Sequence, residues 1–318
     1  MRRSEVALVI RGTIIGAALA AAAVAPARAA DGAALARAAE DAAGPRTPHR
    51  AATQLENGAG DLLTRYAPAI VRVEAVLETR LNLGGQGEAE DSRLDVLGAV
   101  VDPGGLVMIW NSHISSARMV EMMQNAGRGE GMGIQVVPRS FTVNTPDGEV
   151  SALLAATDSA LDLAFLQLER PPSKPLPFVD FAHASRPDSG DLLVAVSRLG
   201  RGFDHAPYLQ TALMGGTLKK PREAFIIDGR LSAFGLPVFD RRGNPVGALT
   251  TVVTRGGESD SAAGGPTVGQ MIGGAFGAPG EGPLGVFVLP GERVASLIRL
   301  AGERAKELLR QRESAPSP

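Results

Sequence analysis

The chain contains no cysteine, which excludes disulfide frameworks, thiol nucleophiles, iron–sulfur clusters and thiolate zinc sites together. Histidine is almost as scarce. The four residues, at positions 49, 113, 183 and 205, are too few for a His-rich metal site, so neither metal nor organic cofactor is expected. Neither sign of charge dominates: 32 Lys and Arg against 34 Asp and Glu give a net charge of −2. That balance makes no electrostatic case for nucleic acid or an anionic membrane surface. What remains is ordinary globular composition, 44% hydrophobic and 21% charged, in 318 residues that suffice for one large or two modest domains. The 39 Gly and 22 Pro imply frequent turns, which favours many short strands over a helical bundle.

Residues 1–30 read as a signal peptide. Arg2, Arg3 and Arg11 make a basic start, Thr13–Val24 is apolar, and Ala27-Arg28-Ala29 offers a small-x-small cleavage site. The apolar stretch is shorter than the roughly 20 residues that span a bilayer. Cleavage and a periplasmic or secreted location are therefore expected, without stable membrane insertion. Residues 31–60 form an Ala-rich linker punctuated by Pro45, Pro48, Gly58 and Gly60.

From residue 61 the pattern changes. Ile70–Leu77 alternates Val71, Val73 and Ala75 with Arg72 and Glu74, the period of a half-buried strand. Val96–Val101 and Leu106–Trp110 flank Asp102-Pro103-Gly104-Gly105, and Phe141–Thr145 and Glu149–Leu154 flank Pro146-Asp147-Gly148. Both read as hairpins. Leu163–Leu168 follows, then a Pro-rich connection over 171–187. Beyond it Leu192–Val196, Pro237–Phe239, Val246–Val253 and Gly285–Leu289 read as strands. Val294, Leu297, Ile298, Ala301, Ala305, Leu308 and Leu309 recur at helical spacing and predict an amphipathic helix over Glu292–Arg312. The residues thus describe two groups of short antiparallel strands, as barrels or sandwiches, closed by one helix. Asn82–Arg93 and the Gly-rich Arg255–Pro283 read as long loops. Met119, Met122 and Met123 share one face of a short helix, as core packing does. Gly127, Gly129, Gly131 and Gly133 lack the strand-to-helix frame of a phosphate cradle. Lys219-Lys220-Pro221-Arg222 reads as a solvated turn.

The order of these elements resembles the protease domain of HtrA/Deg-type trypsin-like serine proteases. The resemblance rests on four segments: Leu97–Gly105 leading into Asn111-Ser112-His113; Phe141–Gly148 followed by Thr157–Ala164; Pro237-Val238-Phe239 through Gly243–Gly247; and Gly285–Pro290 before a helix. Together they span residues 61–300. The resemblance implies an all-β fold of two antiparallel six-stranded barrels, over 61–175 and 176–291, with the helix and tail at 292–318. It also implies His113 as the general base and Asp162 as the carboxylate that orients it. In such a site the imidazole takes the serine proton, and backbone N–H groups hold the oxyanion.

The motif fails where the nucleophile belongs. With Pro237 as anchor, the family's Gly-Asn-Ser-Gly-Gly-Pro aligns with Ser232-Ala233-Phe234-Gly235-Leu236-Pro237, so Phe234 takes the serine position. Losing a triad nucleophile costs on the order of a million-fold in turnover. The leading expectation is a pseudoprotease, with His113 and Asp162 a vestigial dyad, that binds a polypeptide or regulates or scaffolds a partner. A second reading keeps an active serine endopeptidase with Ser232 as a displaced nucleophile. A third makes the chain a structural subunit of a cell-envelope assembly. No peptide-binding PDZ module is expected after the barrel region.

Overall fold

The computed structural model describes residues 60–83, 86–117, 120, 132–220, 222–253 and 284–314. The expected signal peptide, most of the linker, the methionine face after His113, most of the Gly127–Gly133 run and the loop Arg255–Pro283 lie outside them.

Twelve strands form two closed antiparallel six-stranded barrels. The first contains β1 (Ile70–Leu83), β2 (Gln86–Asp102), β3 (Leu106–Trp110), β4 (Met132–Thr145), β5 (Gly148–Asp158) and β6 (Leu163–Leu168), in the order β1-β2-β3-β6-β5-β4. The second contains β7 (Leu192–Arg198), β8 (Pro207–Leu218), β9 (Ala224–Gly229), β10 (Pro237–Asp240), β11 (Pro245–Val253) and β12 (Leu284–Pro290), in the order β10-β11-β12-β9-β8-β7. One helix, α1 (Gly291–Ser314), follows β12 directly. This pair of barrels fits a trypsin-like double-barrel fold.

Alternation builds each barrel. Val71, Val73, Ala75 and Leu77 point inward along β1, while Arg72 and Glu74 stay half-buried among ion pairs with Asp95, Glu149 and Arg93. Turn chemistry sets the register of β2 on β3. The Asp102 carboxylate accepts from the Gly104 N–H at 2.7 Å, the Gly105 N–H donates to the Asp102 carbonyl at 3.0 Å, and Gly105 supplies a φ of +92°. Fully buried side chains such as Phe165, Phe225, Phe239, Ile109 and Leu193 fill the interiors. Each contributes about 1.5–3 kcal/mol of transfer free energy.

Three segments bind the barrels together. The helical residues 60–66 bring Tyr66 onto Phe239 of the second barrel, rings stacked at 4.1 Å, with the phenol donating to the Gly243 carbonyl at 2.7 Å. The connection after β6 hydrogen-bonds back onto the first barrel through the Leu176 and Val179 amides. Helix α1 buries Val294, Ala301 and Ala305 against β5 and β6 of one barrel and β11 and β12 of the other.

Three expectations change in detail. Asn82–Arg93 is not a loop: β1 and β2 pair from Ile70↔Ala99 out to Leu83↔Gln86. A ladder of backbone hydrogen bonds needs no apolar alternation once the hairpin extends beyond the core, and residues 89–93 are exposed. Strand β4 begins at Met132, nine residues before the expected Phe141, and its register against β1 shifts at Val76/Leu77. Strand β8 carries no strong hydrophobic pattern, because Gly215 and Gly216 interrupt it, whereas β9 is a short apolar run, 224–227, that ends at Asp228-Gly229.

Candidate functional site

The candidate site lies where the two barrels meet, and the first barrel supplies His113 and Asp162. Strand β3 ends at Trp110 and passes into a 3-10 turn, Asn111–His113. Asp162 closes the tight turn between β5 and β6, fully buried, at a left-handed φ of +59°. Aspartate tolerates that conformation better than most residues. The two turns are tied by the Asn111 N–H, which donates to the Asp162 carbonyl at 3.0 Å. The second barrel grips the same turn: Thr250 Oγ1 donates to the Leu161 carbonyl at 2.7 Å, and the Arg222 guanidinium donates to the Ala160 carbonyl.

The Asp162 carboxylate receives three side-chain donors. Trp110 Nε1 donates at 2.6 Å, Ser112 Oγ at 2.7 Å to Oδ1 and 2.9 Å to Oδ2, and Thr251 Oγ1 at 2.8 Å. A buried carboxylate needs such donors to offset its lost hydration. The His113 ring is near enough for the Asp162 charge to act on it, but its buried Nδ1 has no hydrogen-bond partner. Desolvation pulls the His113 pKa down, and the nearby carboxylate opposes that shift without cancelling it. The ring instead meets Trp110 edge-on, centroids 4.8 Å apart.

The second barrel supplies the loop before β10. Phe234 is half-buried and stacks on Trp110 at 4.7 Å with 25° between the ring planes. Gly235 has φ +73°, and a Cβ there would lie 2.3 Å from the Trp110 backbone nitrogen. Only glycine fits so close an approach. Hydrogen bonds from the Gly235 N–H to the Leu249 carbonyl at 2.8 Å, and from the Leu236 N–H to the Ala233 carbonyl at 3.0 Å, hold this turn. Ser232 is exposed and bound to Gln210 on β8. Its N–H donates to Gln210 Oε1 at 2.8 Å, and its Oγ accepts from Gln210 Nε2 at 2.9 Å. The same Nε2 lies 2.6 Å from the Tyr208 hydroxyl.

The fold therefore brings His113, Asp162 and Phe234 around one tryptophan, while the contacts of Ser232 run to β8. Sequence reasoning missed Trp110, Ser112, Thr251 and Gln210. Ser112 had a signal, since it lies between Asn111 and His113 in the recognised motif. Gln210 and Tyr208 stand two apart on one strand and so share a face. Trp110 is the chain's single tryptophan. Thr251 had no local signal, because its partner is 89 residues away.

Chemically, the cluster differs from a working relay at two points. A general base needs its second nitrogen held by the carboxylate to fix the tautomer, and here Trp110, Ser112 and Thr251 occupy that carboxylate. An oxyanion site needs free N–H groups, and Gln210 caps the Ser232 amide. Among the described residues no three His, Asp or Glu side chains gather as a metal site. Likewise, no described helix is long and apolar enough to cross a membrane. No protein-family model matches the chain, and no curated protein sequence matches it significantly.

Proposed function

We propose that the protein is an exported pseudoprotease of HtrA/Deg type that binds a polypeptide in the inter-barrel cleft, and by doing so regulates or scaffolds a partner. One observation carries the reading: Trp110, Ser112 and Thr251 donate to the Asp162 carboxylate, while His113 Nδ1 has no hydrogen-bond partner. Phe234 at the nucleophile position and the Gln210 cap on the Ser232 amide support it independently. The half-buried surfaces of Trp110, His113 and Phe234 give the cleft an aromatic wall, suited to apolar side chains of an extended peptide. Export rests on the pattern of residues 1–30, and the family assignment on the motif order read from the sequence.

Two measurements test the proposal. Fluorophosphonate labelling with mass-spectrometric mapping is expected to leave Ser232 unmodified under conditions that label an active serine protease. A label on Ser232 that His113→Ala abolishes would establish a hydrolase instead. Trp110, as the single tryptophan, reports directly on the cleft. Its emission is expected to shift saturably with a tryptophan-free unfolded polypeptide, and an unchanged spectrum would refute binding there.

A further inference from the structure

A second cavity, of about 400 Å³, opens between the start of β1, the β4–β5 turn and the β7–β8 hairpin. Its walls include Ile70, Arg72, Asn144, Pro146, Arg198 and His205. Arg198, the last residue of β7, is the unusual member. Its Nε donates to the Ile70 carbonyl at 2.7 Å, its Nη2 to the Ala67 carbonyl at 2.6 Å and its Nη1 to the His205 carbonyl at 3.2 Å. Those bonds use three of the five N–H donors of a guanidinium. All three acceptors are neutral, and no carboxylate among the described residues pairs with it. Arg72, across the cavity, differs in that Glu149 at 3.6 Å and Asp95 at 3.9 Å balance its charge. Burial accordingly depresses the Arg198 pKa.

The cavity wall is also strained. Asp204 and His205 both have φ of +52°, so two consecutive non-glycine residues occupy the left-handed region. Such residues cost on the order of 1 kcal/mol or more each, and they collect where a site must be held in shape. Bonds from the Phe203 N–H to Gly200, the Asp204 N–H to Arg201 and the Ala206 N–H to Phe203 hold this turn, and Arg198 binds the His205 carbonyl. This turn places His205 on the cavity wall with Arg198.

We propose that this cavity is a binding site for a small carboxylate, with Arg198 as its charge partner, Asn144 and His205 as flanking polar contacts, and Ile70 and Pro146 against the ligand's apolar portion. A planar carboxylate matches the two remaining guanidinium N–H groups, as a fork-to-fork pair requires. The site is separate from the His113–Phe234 cleft, and the proposal does not depend on whether that cleft is catalytic.

The test is a two-dimensional NMR titration of the intact chain with propionate, its neutral isostere propionamide, and inorganic phosphate. Propionate is expected to shift the amides of Arg72, Asn144 and His205 and the Arg198 Nε signal saturably. Propionamide is expected to leave them in place, and phosphate to act more weakly than propionate. The variant Arg198→Lys, which keeps the charge and loses the fork, is expected to weaken propionate binding about tenfold or more. Equal responses to propionamide, tighter binding of phosphate, or undiminished propionate binding in a folded Arg198→Lys variant would each overturn the proposal. If that variant does not fold, the wild-type Arg198 Nε signal decides, and its silence at saturating propionate would refute the site.

Discussion

The two sides of the candidate site are held in different ways. The first barrel sets His113 and Asp162 at strand ends tied by the Asn111–Asp162 backbone bond. There the carboxylate accepts from Trp110, Ser112 and Thr251. The second barrel brings the Phe234 ring onto Trp110 and a glutamine onto the Ser232 amide. The comparison teaches that a buried carboxylate constrains its surroundings more tightly than an exposed loop does. Asp162 cannot be left without donors except at large cost, so its neighbourhood stays polar and ordered. Ser232, exposed to water, carries no such penalty.

The strongest way to break this arrangement is at its tightest contact. Gly235→Ala places a methyl against the Trp110 backbone at a positive φ, and is expected to cost about 3 kcal/mol in urea unfolding. A near-neutral result would mean that the second-barrel turn can retreat from the first. Next in size, Thr251→Val removes the second barrel's donor to Asp162 with little change in shape. A loss of about 2 kcal/mol is expected, since hydrogen bonds to charged groups exceed neutral ones. A negligible loss in the same unfolding experiment would show that Trp110 and Ser112 alone satisfy the carboxylate.

A smaller effect sharpens the account of the first half. Because the folded-state pKa of His113 lies below its ordinary 6.5, the unfolded chain takes up the proton first as the pH falls. The stability linked to this ring is therefore fully present above 6.5 and is lost as the pH drops from there toward the lower folded value. Urea midpoints measured from pH 7.5 to 5 are expected to fall more steeply for the wild type than for His113→Gln. Parallel profiles would mean the ring is not held in a desolvated place. The smallest expected effect is on activity: Phe234→Ser should yield no hydrolysis of a fluorogenic peptide above background. A returned hydroxyl still finds His113 Nδ1 without a partner and the Ser232 amide capped. Turnover by this variant would show that the first half had remained competent throughout.

The same contrast runs through what the residues revealed in advance. All six first-barrel strands left a readable pattern, because turns such as Asp102–Gly105 and Pro146–Gly148 punctuate them sharply. In the second barrel β8 did not, since Gly215 and Gly216 break its alternation and barrel closure supplies the pairing instead, while β9 offered only the four-residue apolar run 224–227. At the site, the strand-end positions of His113 and Asp162 could be read from motif order alone.

Periodicity, turn chemistry and motif order are properties of neighbouring residues, and through them the sequence alone determined the first-barrel strands, most of the second-barrel strands, the closing helix and the strand-end places of His113 and Asp162. Hydrogen-bond partnership is a property of distance in space. Trp110 reaches Asp162 across 52 positions, Thr251 across 89, and Arg198 reaches Ile70 across 128. Only the closure of two barrels against each other decided which donors reach the carboxylate, what caps the Ser232 amide, and that Arg198 meets neutral carbonyls.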